Sequence, residues 1–353
     1  MGSCAHPSAY EDRWCGGRGP VFLMTGLLAD SASLVLDFPG QSLGVFVSSY
    51  LTLSLISEIR AFSRSEQIRP CITWRRSMFH EHALYDLPAQ IDYVLSETGQ
   101  KQLLYIGISQ GTLSFFAMMS ERPEYNDKVK AFAGLAPFNK LAHIKVPPLA
   151  IFGPYAETAL FAEQGDRSGS PPPCFALIFE FTQRLAQAVG GSEVLPKDFQ
   201  LMSITRIPVY LCHNPAGTSM KNIIHYGQLV GSKRAQKFDY GASKNSEVYG
   251  QREPPEYNLS RVTTDVGLFW SKGDEFVTPR EVDELRSSLR GRIKRERYIA
   301  DPFYTHVHFV IGLVNQKYLF SNLLDFLAGY PAQQNSREDV DTTTDAVYTT
   351  IDS

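Results

Sequence analysis

Short apolar runs alternate with helical stripes over the first third of the chain. Pro20-Val-Phe-Leu-Met-Thr25 is apolar and ends in a Thr-Gly pair, the pattern of a buried strand entering a tight turn. From Tyr85 to Thr98, residues Leu87, Ile91, Val94 and Leu95 fall on one helical face, and Gly99 closes the helix. Gln102 to Ile106 reads as a second buried strand, cut off by Gly107. After Ser109, the positions of Leu113, Phe116, Ala117 and Met118 mark a buried helix. Val129 to Leu135 is a third strand, ending at Ala136-Pro137. Helices and buried strands in this alternation predict an α/β fold with a mostly parallel central sheet.

The rhythm changes between 139 and 258. This stretch holds Pro171-Pro-Pro173, a helical run from Phe175 to Val189, and a Gly/Ser/Asn-rich segment around Gly241. It reads as an inserted, mainly helical cap that divides a core of 20–138 and 259–330. The strand pattern returns at Asp265 to Trp270, followed by the loop Ser271-Lys-Gly-Asp274. Arg297 to Ala300 reads as a last strand and His306 to Leu327 as a last helix. Residues 1–19 look irregular. Residues 331–353 are polar and Thr/Asp-rich, the composition of a disordered tail.

Composition narrows the picture. With 43% hydrophobic and 20% charged residues, the 353-residue chain has a globular make-up. Lys+Arg 34 against Asp+Glu 37 gives a net charge of −3, without the basic excess that nucleic-acid binding needs. Five cysteines exclude a disulfide-built scaffold, and the odd count leaves at least one thiol unpaired within the chain. The longest charge-free run, Phe38 to Ser57, just reaches spanning length, but Pro39, two glycines and several serines argue against a transmembrane segment. No apolar stretch in residues 1–19 resembles a signal peptide.

The chemistry centres on Gly107-Ile108-Ser109-Gln110-Gly111, a G-x-S-x-G pattern between an expected strand and an expected helix. A serine on such a turn exposes its hydroxyl at the carboxyl end of a strand, and the following helix aims its positive end at a developing oxyanion. A serine nucleophile needs a base, and the base needs an orienting acid. Of eight histidines, only His306 and His308 lie beyond the last expected strand, where the base belongs. Asp274, in the loop after Val266–Trp270, is the candidate acid, with Glu275 beside it as the alternative. The oxyanion donors expected are the N–H groups of Gln110 and of Leu27, in the turn Thr25-Gly26-Leu27-Leu28.

Several longer stretches resemble the gastric/lysosomal acid lipase family of α/β-hydrolases. They are Ala83 to Leu95, Thr98-Gly-Gln100, Gly107 to Thr112, His213-Asn-Pro-Ala-Gly-Thr-Ser219 with Asn222, Ile224 and His225, Trp270 to Asp274, and Tyr304-Thr-His306. The similarity runs from about Pro20 to Leu327. It implies a lipase acting on triacylglycerols or cholesteryl esters, lysosomal or secreted, and it assigns the base to His306. His308 stands where the family usually has an acidic residue, which places it behind the base. The chain departs from the family elsewhere. Thr25 replaces the histidine of His-Gly-Leu-Leu, and Ile108 replaces the histidine of Gly-His-Ser-Gln-Gly. The family's strands and signal peptide ahead of Pro20 have no counterpart in residues 1–19. From Tyr50 to about Cys71 the sequence reads as replaced, although Leu51–Ile56 could serve as a strand. Cys174 and Cys212 match the family's cap disulfide poorly and read as two buried thiols. Asn258-Leu-Ser260 is a glycosylation sequon.

The expected function is therefore a serine ester hydrolase on Ser109, His306 and Asp274. It needs no metal or organic cofactor, works on lipid esters at a lipid–water interface, and acts as a monomer. His213 and His225 are not at metal-ligand spacing and are expected to make structural hydrogen bonds. Two alternatives stay open: an inactive or impaired lipase-like chain with at most lipid binding, and a serine peptidase on the same scaffold.

Overall fold

The computed structural model describes residues 19–50, 52–57, 78–145, 200–214, 216 and 218–331. Six strands form one sheet, all in parallel. They are β1 (Pro20–Met24), β2 (Thr52–Ser57), β3 (Leu103–Ile108), β4 (Val129–Leu135), β5 (Asp265–Ser271) and β6 (Ile293–Ile299). Their order across the sheet is β2-β1-β3-β4-β5-β6. Both β1 and β3 are buried at every position, as parallel strands covered on two faces must be. The registers Met24↔Gly107, Gly107↔Gly134, Leu135↔Phe269 and Ser271↔Ile299 bring the strand ends level. The turns after β1, β3, β5 and β6 therefore emerge on one rim, where open α/β sheets bind ligands.

The helices of the core are α1 (Leu43–Tyr50), α2 (Leu87–Thr98), α3 (Gln110–Glu121), α7 (Pro279–Leu289), α8 (His308–Ile311) and α9 (Ser321–Ala328). Helix α2 carries Leu87, Ile91 and Val94 on its buried face and ends at Gly99, whose φ of 63° is the left-handed cap expected there. Helix α3 is buried from Gln110 through Ser120. Beside it, Phe115 stacks on Phe132 of β4 with ring centroids 3.8 Å apart. Burying such rings contributes roughly 2–3 kcal/mol each.

Three expectations need correction. Strand β3 does not stop at Gly107 but runs on to Ile108. A Cβ on Gly107 would lie 2.9 Å from the Gly111 backbone, so this glycine serves close approach rather than strand ending. Strand β6 starts at Ile293, four residues before the expected start. Its alternating, half-exposed burial is that of an edge strand, which tolerates Lys294 and Glu296. The last helix is not continuous. The base candidate His306 lies in a loop, α8 ends at Gly312, and a π turn (Gln316–Phe320) leads into α9. The apolar count alone hid the break, because Phe309, Leu319 and Leu323 are all buried.

Within the replaced stretch, Thr52–Ser57 forms β2 beside β1 at the sheet edge. Among the described residues, the chain between β4 and β5 includes α4 (Ile207–His213), α5 (Met220–Ser232) and α6 (Ala242–Tyr249). Residues 1–18 of the expected irregular N-terminus (1–19), the helix at 175–189, Cys174 and residues 332–353 of the expected disordered tail (331–353) lie outside the described residues.

Three imidazoles are buried where the segment Phe79–Asp86 meets α5. His80 Nδ1 pairs with the Tyr257 hydroxyl at 2.8 Å, and His225 stacks on Phe79 at 4.3 Å while its Nε2 donates to the Gln236 carbonyl at 2.9 Å. Desolvation lowers His80 and His225 to about 3 and His82 to about 4. Nearby Lys237 and Lys221 add repulsion at His80. An unfolded imidazole titrates near 6.5, so below that pH the unfolded chain takes up protons that the folded one refuses. This stabilisation is complete above about pH 6.5 and is lost as the pH falls, at about 1.4 kcal/mol per unit per histidine. Urea unfolding should accordingly show a lower midpoint at about pH 5 than at about pH 7.5, with an unfolding free energy smaller by several kcal/mol. Equal midpoints would mean that these imidazoles are already solvated in the native state.

Candidate active site

Ser109 sits between β3 and α3 with φ 51° and ψ −113°, a region that non-glycine residues rarely occupy. Its N–H donates to the Leu135 carbonyl at 3.0 Å, and its carbonyl accepts from the Thr112 hydroxyl at 2.7 Å. The elbow is cramped by its neighbours, and Gly111 has no room for a Cβ, which would lie 2.4 Å from the Met24 carbonyl oxygen. The turn after β1 reaches the same point, since a Cβ on Gly26 would be 3.1 Å from that of Ser109.

The loops after β5 and β6 are pressed together on this rim. A Cβ on Gly273 would stand 2.6 Å from the carbonyl oxygens of Pro302 and Tyr304, and the Ser271 hydroxyl donates to Tyr304 at 2.6 Å. That contact brings Asp274 beside His306. His306 Nδ1 lies 2.8 Å from Asp274 Oδ2, and His306 Nε2 lies 2.7 Å from Ser109 Oγ. The Asp274 side chain is fully buried, and its other oxygen accepts from the N–H groups of Phe276 and Val277 at 2.8 and 3.0 Å. A carboxylate so placed can only accept, so Nδ1 of His306 carries the proton and Nε2 accepts from the serine hydroxyl. Phe276 covers the imidazole at 4.6 Å. Glu275, the alternative acid, is not the partner of His306 here, and His308 turns instead toward Thr305.

Gln110 opens α3, where the first N–H groups have no partner within the helix. Leu27 lies partly buried in the turn after β1. The next residue, Leu28, is held at φ 60°, and its carbonyl accepts from the Ala216 N–H at 2.7 Å. The Ser33 hydroxyl donates to Asn214 at 2.8 Å. Asn214 and Ala216 thus brace the chain that carries Leu27 and Ser33. Asn222 ties it further, donating to Gln110 Oε1 at 2.8 Å and to Thr218 Oγ1 at 3.0 Å while accepting from the Phe79 N–H at 3.0 Å. Sequence reasoning found Asn222 within a motif but assigned it no role. Its hub position depends on contacts more than a hundred residues apart.

His225 makes a structural hydrogen bond, as expected, and His213 ends α4 exposed. Among the described residues no group of His, Cys, Asp and Glu could hold a metal ion, and no helix is long and apolar enough to cross a membrane.

A parallel sheet with a serine elbow at its rim defines an α/β-hydrolase. Solved structures agree on the fold: the protein Rv0554 of Mycobacterium tuberculosis superposes with a TM-score of 0.52 at 14% identity, covering 90% of this chain and 92% of that one. A lipase-esterase related protein of Clostridium acetobutylicum gives 0.50 at 11%, covering 88% and 95%. No family model matches the chain. Curated relatives match over nearly its whole length. Human lipase member K is 31% identical over 337 residues, 90% of this chain and 82% of the relative. Bovine gastric triacylglycerol lipase is 31% identical, covering 89% and 81%. Human lysosomal acid lipase/cholesteryl ester hydrolase is 28% identical, covering 89% and 81%. The chain belongs to the gastric/lysosomal acid lipase family, a family of carboxylic ester hydrolases.

Because Gly273 sets the approach of Asp274 to His306, Gly273→Ala should push the loops apart. A displacement near 1 Å at reacting groups costs about a hundredfold in rate. Turnover of a soluble ester should fall by about that much with KM little changed. Unaltered turnover in a folded variant would show that the loop contact does not set the geometry.

Proposed function

We propose that the protein is a serine hydrolase of lipid esters in which Ser109, His306 and Asp274 act as nucleophile, base and orienting acid. The observation that carries this reading is the unbroken line of hydrogen bonds, 2.7 and 2.8 Å, from a strained serine through His306 to a buried carboxylate. A binding protein has no use for a serine held at that cost.

Ser109 Oγ attacks the ester carbonyl while its proton passes to His306 Nε2. The new imidazolium is stabilised by Asp274, and the tetrahedral oxyanion is held by the N–H groups of Leu27 and Gln110. One such donor is typically worth about 3 kcal/mol. Collapse breaks the ester C–O bond, and His306 returns the proton to the leaving alcohol. Water, deprotonated by His306, then releases the acid from acyl-Ser109. The three side chains complete this cycle without a cofactor.

Triacylglycerols and cholesteryl esters are the substrates that the relatives' names carry. The chain from 139 to 258 would cover the acyl group as an apolar cap. A lysosomal or secreted setting follows the same relatives. Asn258 of the sequon is exposed, as glycosylation would require.

Hydrolysis of a fluorogenic long-chain ester by wild type, Ser109→Ala and Asp274→Asn, from about pH 4 to 8, tests the reading. Ser109→Ala should abolish turnover, and Asp274→Asn should lower kcat about 10⁴-fold, because a neutral amide no longer fixes the Nδ1–H tautomer of His306 or stabilises its imidazolium. A cooperatively folded wild type without activity would instead favour the inactive, lipid-binding alternative.

A further inference from the structure

The residue after the nucleophile is tied to the chain between β4 and β5 by a side-chain bond. Asn222 lies in the first turn of α5, and its N–H donates to the Ser219 hydroxyl at 3.0 Å. The Asn222 side chain is fully buried and reaches across to the serine turn. Its Oδ1 accepts from the Phe79 N–H at 3.0 Å, which makes the other end of the amide the donor. Nδ2 donates to Gln110 Oε1 at 2.8 Å and to Thr218 Oγ1 at 3.0 Å. A backbone N–H can only donate, so the Phe79 contact fixes which way the Asn222 amide faces.

Gln110 has no such redundancy. Its side chain is fully buried beside Ser109, and its Nε2 has no hydrogen-bond partner among the described residues. Among those residues, Asn222 is the polar anchor of this side chain. Without the anchor both ends of a buried amide would be unpaired, which is unfavourable, and Gln110 would shift to find water or another partner. A long side chain freed in this way also regains rotamers.

The anchor is itself held fast. Along the same helix, His225 stacks on Phe79 at 4.3 Å, and Tyr226 meets the edges of Phe79 at 6.1 Å and Phe138 at 6.4 Å. The residue whose N–H orients Asn222 is therefore clamped by the helix that carries Asn222. A group on a packed helix holds its position more closely than one on a loop.

We propose that Asn222 is a positioning residue for the oxyanion hole: its bond to Gln110 Oε1 holds residue 110 so that its N–H meets the oxygen that turns negative when Ser109 attacks. The proposal rests on the reading of Ser109 as nucleophile and of the Gln110 N–H as an oxyanion donor. A neutral ester asks little of that N–H, whereas the oxyanion needs it at hydrogen-bond distance. Loss of the tie therefore lowers kcat and leaves KM. Removing one oxyanion donor outright costs about 10²–10³-fold. Loosening one costs less, about tenfold, because Leu27 stays in place through the Ala216 N–H on the Leu28 carbonyl at 2.7 Å.

The test measures kcat and KM on a soluble short-chain ester for wild type, Gln110→Met, Asn222→Leu and the double variant, with circular dichroism and urea unfolding confirming each fold. Met keeps the length and the backbone N–H of residue 110 and puts a methyl group where the amide oxygen stood. Gln110→Met should lower kcat about tenfold with KM within about twofold of wild type. Asn222→Leu should lower kcat at least as far, and the double variant should be no slower than Asn222→Leu, because both substitutions remove the same bond. Effects that multiply, or an unchanged kcat in folded Gln110→Met, would overturn the proposal. A trifluoromethyl ketone gives a readout that a loss of stability alone does not move. Ser109 Oγ adds to its carbonyl carbon, the serine proton passes to His306, and the ketone oxygen becomes the anion that the hole must hold. Its Ki should rise in folded Gln110→Met by the same factor, about tenfold, by which kcat/KM falls. An equal Ki in wild type and Gln110→Met would refute the idea, and this comparison decides it even where Asn222→Leu does not fold. Hydrolysis surviving in Ser109→Ala would sink the serine-hydrolase reading itself, whereas Ser109-dependent hydrolysis indifferent to Gln110→Met would sink the positioning role alone.

Discussion

Ser109 is held in a backbone conformation that costs of order 1–3 kcal/mol, and the surrounding structure exists in a form that enforces it. Strand β3 delivers the residue between two buried neighbours, β1 and β4. Its N–H is taken by Leu135 and its carbonyl by Thr112, so the turn cannot relax without breaking bonds to β4 and α3. The close backbone contacts at Gly107 and Gly111 leave no space for another path. The strained serine is stable because the two packed layers over-determine it.

The second requirement is that loops from two other strands meet the serine. Asp274 and His306 belong to turns after β5 and β6, adjacent strands with level ends. Gly273 and Ser271 let those turns touch, and the buried carboxylate then sets the tautomer of His306. The histidines share a dependence on staying neutral. His80, His82 and His225 are kept neutral by burial, and His308 must be neutral to accept from Thr305.

The chain between β4 and β5 is bonded to the serine turn and its neighbours rather than merely laid over them. Ala216 braces the turn that carries Leu27, and Asn222 bonds the side chain of Gln110, next to Ser109. Tyr210 donates to the buried Asp37 carboxylate at 3.1 Å, linking α4 to the loop that follows the same turn. Movements in the segment would therefore reach Leu27 and Gln110, the proposed oxyanion donors, through short, bonded paths.

Local physics made much of this legible along the chain. The apolar runs of β1, β4 and β5 and the stripe of α2 are short-range patterns that sit where they were expected, and β3 differs only in running on to Ile108. Ser109, Asp274 with Glu275 beside it, and the pair His306 and His308 were readable from the order of motifs on strands, because parallel strands put all their following loops on one rim, and the family resemblance then chose His306. Other features are decided by contacts between distant residues. The break at Gly312 and the loop position of His306 follow from packing against neighbouring turns, not from an apolar count. The choice of Asp274 over Glu275, the neutral tautomer of His308 and the hub at Asn222 depend on which atoms face one another at 2.7–3.0 Å across more than thirty or a hundred residues, or around one tight turn. One-dimensional spacing holds no record of such distances, and only the folded chain sets them.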